Sequence, residues 1–199
     1  MSERDEGRIG RARRATAETA VRVEVLVDGA GRAEVATGIG FFDHLLTALA
    51  RHGGLDLDLS CEGDLEVDDH HTAEDCALAL GAALDEALGD RRGVARFGHA
   101  YAPLDEALAR AVIDLSGRPL AVVDLGLSRD RIGALAAENV GHAIRSLATA
   151  LRATVHVDVL RGENDHHRAE AAFKALALAL ARATRRTGSD RVPSTKETL

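Results

Sequence analysis

The chain has 199 residues, of which 46% are hydrophobic and 29% charged, and it carries a formal net charge of -7. These values suit a soluble globular protein long enough to bury a core. The acidic balance excludes a general nucleic-acid binder, which needs surplus Lys and Arg against phosphate. There is no apolar run of membrane length and no secretory signal, and Cys61 and Cys76 form neither a disulfide framework nor a zinc spacing, so we expect a reduced, cytoplasmic protein without membrane contact. Aromatics are 3% and tryptophan is absent, which leaves Ala, Leu and Val to fill the core.

In chain order, residues 1–15 are rich in Arg, Glu and Gly without apolar periodicity and read as a flexible N-terminal arm. A first repeat is expected over 16–92. Val21, Val23, Val25 and Val27 alternate with polar residues as a strand, and Asp28-Gly29 before a second short alternating run reads as a hairpin. Phe41 to Arg51 has helical spacing, Gly53-Gly54 ends it, Leu55, Leu57 and Leu59 alternate as a strand, and Ala73 to Leu88 is a helix closed at Gly89.

The series ββαβα then recurs over 93–186, with strands near 98–116 and 119–127, a helix near 133–151, a strand at 153–160 and a helix from His166 to Arg185. Residues 187–199 read as a polar tail. The fold class is thus α/β (α+β): two tandem ββαβα halves, each a small sheet with its helices packed on one face.

The string DHHTAE, Asp69 to Glu74, returns as DHHRAE, Asp165 to Glu170. Each copy has two adjacent imidazoles and a carboxylate, a donor set suited to a borderline divalent transition metal. On a helix Glu74 lies about 40° from His70 and about 60° from His71, while the two histidines diverge by about 100°. Each histidine of a pair is therefore assigned to a different ion. His44 and His142, on the preceding helices, complete two quartets: His44, His70, His71 and Glu74, and His142, His166, His167 and Glu170. Asp69 and Asp165 also read as helix N-caps, whereas His52, His99 and His156 have no counterpart between halves and read as structural. One difference stands out, because Lys174 occupies the place of Leu78 and a lysine beside a metal cluster suits an anionic substrate.

The strings GIGFFDHLL (38–46), DDHHTAEDCALALG (68–81), RFGHAYAPLDEAL (96–108), DLSGRP (114–119) and NDHHRAEAAFKA (164–175), with RRATAET (13–19) and PSTK (193–196), resemble imidazoleglycerol-phosphate dehydratases across nearly the whole chain. The resemblance implies dehydration of imidazole glycerol phosphate to imidazole acetol phosphate in histidine biosynthesis. It further implies a ribosomal-protein-S5-domain-2-like half fold and a homo-oligomer of 24 subunits built from trimers, with sites between subunits and two manganese ions per active site. The implied metal ligands are the same eight residues. Glu18 matches a substrate-contacting, proton-transferring glutamate, and Arg96, Arg118 and Lys174, with Ser194 and Lys196 of the tail, match phosphate-binding residues. His70, Glu74, His166, Glu170 and Lys174 thereby count as catalytic as well. The chain departs from the pattern at Gly141, at Ala143-Ile144 and at Glu197, where a carboxylate beside a phosphate site would repel the ligand unless turned away.

In the implied reaction the proton leaves a carbon with no neighbouring carbonyl, so a base needs help from metal-polarised imidazole and hydroxyl groups of the substrate. Two other readings of the same residues are a dinuclear hydrolase that activates water and a non-enzymatic metal-storage shell.

Overall fold

The alternation of Val21, Val23 and Val25 turns these side chains inward from the strand Thr19–Leu26 (β2), while Ala20, Arg22 and Glu24 face outward. The computed structural model, which describes residues 7–196 and residue 198, places β2 between Ile9–Ala15 (β1) and Asp56–Gly63 (β4), antiparallel to both. Ala33–Ala36 (β3) lies parallel to β4 on the far edge, so the sheet order is β1-β2-β4-β3.

Two sequence readings fail here. The loose arm is a strand from Ile9 onward; residues 1–6 lie outside the described residues. Its inward positions are Gly10 and Ala12, which leave no apolar signature to read. A Cβ on Gly10 would overlap the Ala83 carbonyl oxygen, so this edge strand approaches its covering helix only because the side chain is missing. The Asp28-Gly29 hairpin is also absent. The Asp28 carboxylate takes the Arg8 guanidinium fork, at 2.6 and 2.8 Å, and so ties the end of β2 to the start of β1. The chain then crosses to β3, turned by Asp56, which accepts from the Ala30 and Arg32 N–H groups.

From β3 the helix Gly40–Gly53 (α1) leads to β4, and His70–Leu88 (α2) follows. The second half repeats this plan. Phe97–Leu104 (β5) and Ala107–Asp114 (β6) form a hairpin, and Leu120–Asp124 (β7) is the far edge. A two-residue ribbon of Arg131–Ile132 (β8) and Leu135–Ala136 (β9) then precedes Ala137–Ala150 (α3), Thr154–Arg161 (β10) and Asp165–Thr184 (α4). The order β5-β6-β10-β7 copies that of the first sheet, with β7 parallel to β10. The duplication stands, and each ββαβα half carries one more hairpin strand than its apolar pattern discloses.

The four helices cover the inward faces of the two sheets and pack across the halves, α1 on α4 and α2 on α3. Small residues permit the approach: a Cβ on Gly81 would stand 2.6 Å from the Leu147 carbonyl oxygen, and α4 buries Ala169, Ala171, Ala172, Ala175, Ala177, Ala179 and Ala183. The tail is held by its own chain, since Thr187 N–H donates to the Gly93 carbonyl and Gly93 N–H to that of Arg191. No helix among the described residues is long and apolar enough to cross a membrane.

Gly98 repeats the Gly10 approach, against the Ala179 carbonyl of α4. Gly10→Ala and Gly98→Ala should each cost about 1–3 kcal/mol through forced overpacking, read as a fall in Tm; unchanged melting of either variant would show that the strand can yield.

Candidate metal centre

The two repeated strings open α2 and α4, and their aspartates are anchors. Asp69 is 4% exposed, and its carboxylate accepts from the Ala136 N–H at 2.5 Å and pairs with Arg131. Asp165 is 1% exposed and accepts from the N–H groups of Ser128 and Arg129 at 2.8 and 2.7 Å. Asp69 stands at the N-cap position without a side-chain bond to its own helix, and α4 is capped by the Asn164 side chain, which accepts from the His166 N–H. The aspartates therefore lock each string to the loops leading into α3 rather than capping their helices.

The histidines gather across the halves. His44, His166 and Glu170 bring ligand atoms within 4.8 Å of one another, and so do His70, Glu74 and His142. Glu170 Oε2 lies 2.9 Å from His44 Nε2 and 3.1 Å from His166 Nε2, and Glu74 Oε1 lies 3.0 Å from His142 Nε2. The quartets drawn from sequence spacing are thus mispartitioned. Packing α1 on α4 and α2 on α3 hands each preceding-helix histidine to the other half's string, an exchange that spacing along the chain cannot reveal.

His71 and His167 point away from these clusters, as their divergence around the helix requires. His71 Nδ1 is 3.1 Å from an Asp64 oxygen, and His71 Nε2 is 3.6 Å from Glu18. His167 Nδ1 is 2.7 Å from Glu106, and its Nε2 is 3.9 Å from Asp105. The Asp64 and Glu106 carboxylates raise the pKa of the respective rings. With Nδ1 bound to a carboxylate, each ring presents Nε2 outward. Asp64, Asp105 and Glu106 were missed by sequence reasoning. Glu106 turns the β5–β6 hairpin as Glu18 turns the β1–β2 hairpin, but that equivalence was hidden while β1 passed for a loose arm.

Burial alone would raise the Glu170 carboxyl, yet hydrogen bonds from His44 and Lys174 and the charge of Lys174 hold it down at about 2. Lys174 Nζ sits 2.7 Å from Glu170 Oε1, beside the first cluster. Arg96 and Arg118 meet elsewhere, on Asp114. Arg96 places Nε 2.7 Å and Nη2 3.2 Å from the Asp114 oxygens and donates from Nη1 to the Pro193 carbonyl, which draws the tail and Ser194 towards it. Arg118 is 3.8 Å from Asp114 and 69% exposed, and is the freer of the two cations. The structure brings Lys174 to the histidines, not to the arginines. Lys196 N–H donates to the Ser194 hydroxyl, and Glu197 lies outside the described residues. Of the other departures, Ala143 and Ile144 are simply buried in the core, whereas Gly141 borders a cleft with Arg145 and Val123.

The donor chemistry fits a divalent ion. Imidazole nitrogens with a carboxylate oxygen form an N/O donor set suited to a divalent transition metal.

Comparison with known proteins gives one answer. The family model for imidazoleglycerol-phosphate dehydratase matches residues 37–180. A Candida glabrata imidazoleglycerol-phosphate dehydratase is 63% identical over 165 residues, 83% of this chain and 79% of its own. The crystal structure of the Pyrococcus furiosus enzyme in complex with (S)-C348 superposes with a TM-score of 0.82 at 41% identity, covering 94% of this chain and 99% of that one. The Staphylococcus aureus enzyme superposes at 0.79 with 35% identity, over 90% and 99% of the two chains.

Glu106 is held down at about 2, first by the Asn164 N–H, then by His167 and the Glu163 N–H. A carboxyl lowered on folding adds stability above its ordinary pKa and loses it as pH falls through the folded value. Metal-free protein and its Glu106→Gln variant should therefore differ in Tm above about pH 4.5, native being higher, and converge as pH approaches about 2; a gap constant with pH would refute the assignment.

Proposed function

Because the chain belongs to the imidazoleglycerol-phosphate dehydratase family, and is therefore a lyase, we propose that it dehydrates imidazole glycerol phosphate to imidazole acetol phosphate in the cytoplasm, as a step of histidine biosynthesis, with two manganese ions per active site. The observation that carries the metal dependence is the pair of His/His/Glu clusters, each assembled from both halves of the chain. His44, His166 and Glu170 would hold one ion and His70, Glu74 and His142 the other, with His71 and His167 as further ligands. Ions held there supply Lewis-acid polarisation of the substrate's imidazole and hydroxyl groups.

The residues of this chain do the rest. Glu18 sits at the β1–β2 turn with its side chain 51% exposed and within 3.6 Å of His71, placed to take a proton from a substrate carbon and return it to the departing hydroxyl, which leaves as water. Arg118 offers an exposed guanidinium to the phosphate, Arg96 is fixed behind it by Asp114, and the tail with Ser194 and Lys196 is drawn in through Pro193. Lys174, beside Glu170, places a second cation near the histidines, where it neutralises an anionic substrate from the metal side.

Three observations support a homo-oligomer with sites shared between subunits. Among the described residues each cluster supplies only three protein ligands, His71 and His167 project out of their own chain's clusters, and Lys174 stands apart from the arginine pair. A neighbouring copy that brings its outward Nε2 atoms to the clusters, and its arginines to Lys174, completes both halves of the site. The outer face of the second sheet exposes Phe97, Tyr101, Val112, Leu120 and Val122, apolar area fit for burial between copies, whereas the first sheet turns Arg11, Arg13, Arg22 and Glu24 outward. The 24-subunit assembly is the form this reading takes.

Glu18→Gln should lower kcat by about 10²–10⁴-fold with manganese content unchanged, followed as ketone product from imidazole glycerol phosphate. Stripping native protein with a chelator should abolish turnover, and manganese should restore it. A near-native kcat in Glu18→Gln ends the proton-transfer role, and full activity after stripping ends the metal dependence.

A further inference from the structure

Phe41 and Asn139 hold equivalent places near the starts of α1 and α3, each three residues before that helix's cluster histidine, His44 and His142. Each reaches across to the first histidine of the string it faces, by different means. The Phe41 ring lies 4.9 Å from the His166 ring, an apolar cover that offers the imidazole no hydrogen-bond acceptor. Asn139, 2% exposed, puts Oδ1 3.1 Å from His70 Nδ1.

An amide oxygen only accepts, so the hydrogen belongs to His70 Nδ1 and the lone pair stands on Nε2. This ring is set by a neutral amide before any ligand arrives, whereas the outward rings of His71 and His167 are set by carboxylates. The charge around the two clusters differs in the same direction. Lys174 lies 2.7 Å from Glu170 in one, opposing a cation, while the matching position of α2 is Leu78.

We propose that Asn139 is a positioning residue for His70, fixing its metal-ready tautomer and making the His70–Glu74–His142 site the tighter of two unequal cation sites. The inference rests on the reading that both clusters take divalent ions.

The test is a manganese titration of metal-stripped full-length protein, followed by the EPR signal of free ion, together with ¹⁵N spectra of the metal-free histidines. Native protein should show two classes of site per chain, with His70 protonated at Nδ1. Asn139→Leu, similar in volume but without an acceptor, should weaken the tighter class by about 10–100-fold and release the His70 tautomer. Asn139→Asp, which restores an acceptor, should return both. If the leucine variant does not fold, Asn139→Ser, too short to reach the ring, is read in its place. Native-like binding and tautomer in the acceptor-free variant, equal sites in native protein, or an Asp variant as weak as the Leu variant would each overturn the inference while leaving the metal reading intact. Native protein that binds no manganese would end both.

Discussion

Each histidine cluster exists because helices from opposite halves of the chain come close enough to share it. Glu170 on α4 reaches His44 on α1, and Glu74 on α2 reaches His142 on α3, at separations of 2.9 and 3.0 Å. Those pairs depend on close helix packing, which a side chain at Gly81 would push back from the Leu147 carbonyl. Neither half could build a three-ligand cluster alone. Duplication thus supplies two sites and also the interface that completes them.

Gathering these groups has an electrostatic cost that the fold meets locally. Glu170 is half a pair with His44 and half a pair with Lys174, which keeps it ionised despite burial that favours the neutral acid. Asp69 and Asp165, almost fully buried, are satisfied by backbone N–H groups and so carry no unpaired charge into the core. The same bonds fix where each string starts, and a helix start displaced by one residue would rotate every ligand by about 100°. Ligand placement and aspartate burial are therefore one constraint.

Much of this was legible in the sequence. The repeated DHH strings supply six of the eight histidine and glutamate candidates, spacing to the preceding helices supplies His44 and His142, and the divergence of adjacent histidines around a helix separates His70 from His71 and His166 from His167, as the clusters do. What spacing could not show is which helices face each other, so His44 and His142 were assigned to the wrong partners. The strand β1 was invisible for a packing reason: where an edge strand lies against a helix backbone, its inward residues must be Gly10 and Ala12, and these carry no hydrophobic pattern. Losing β1 also concealed the equivalence of Glu18 and Glu106, and with it the carboxylate that holds His167. Asn139 carries no sequence signal, because only its position opposite His70 gives it meaning.

The two halves stay alike in the residues that form the clusters and diverge in the groups set around them. Histidine pairs, cluster glutamates and buried aspartates recur; Lys174 against Leu78, and Phe41 against Asn139, do not. The hairpin glutamates show the same division. Glu106 is fastened by two backbone N–H groups and by His167 and is held ionised far below neutral pH, so it cannot exchange protons readily there. Glu18 stands in the same turn of the other half with an exposed carboxylate no nearer than 3.6 Å to His71. One copy is fastened as an orienting group for His167, and the other leaves its carboxylate exposed at the equivalent turn.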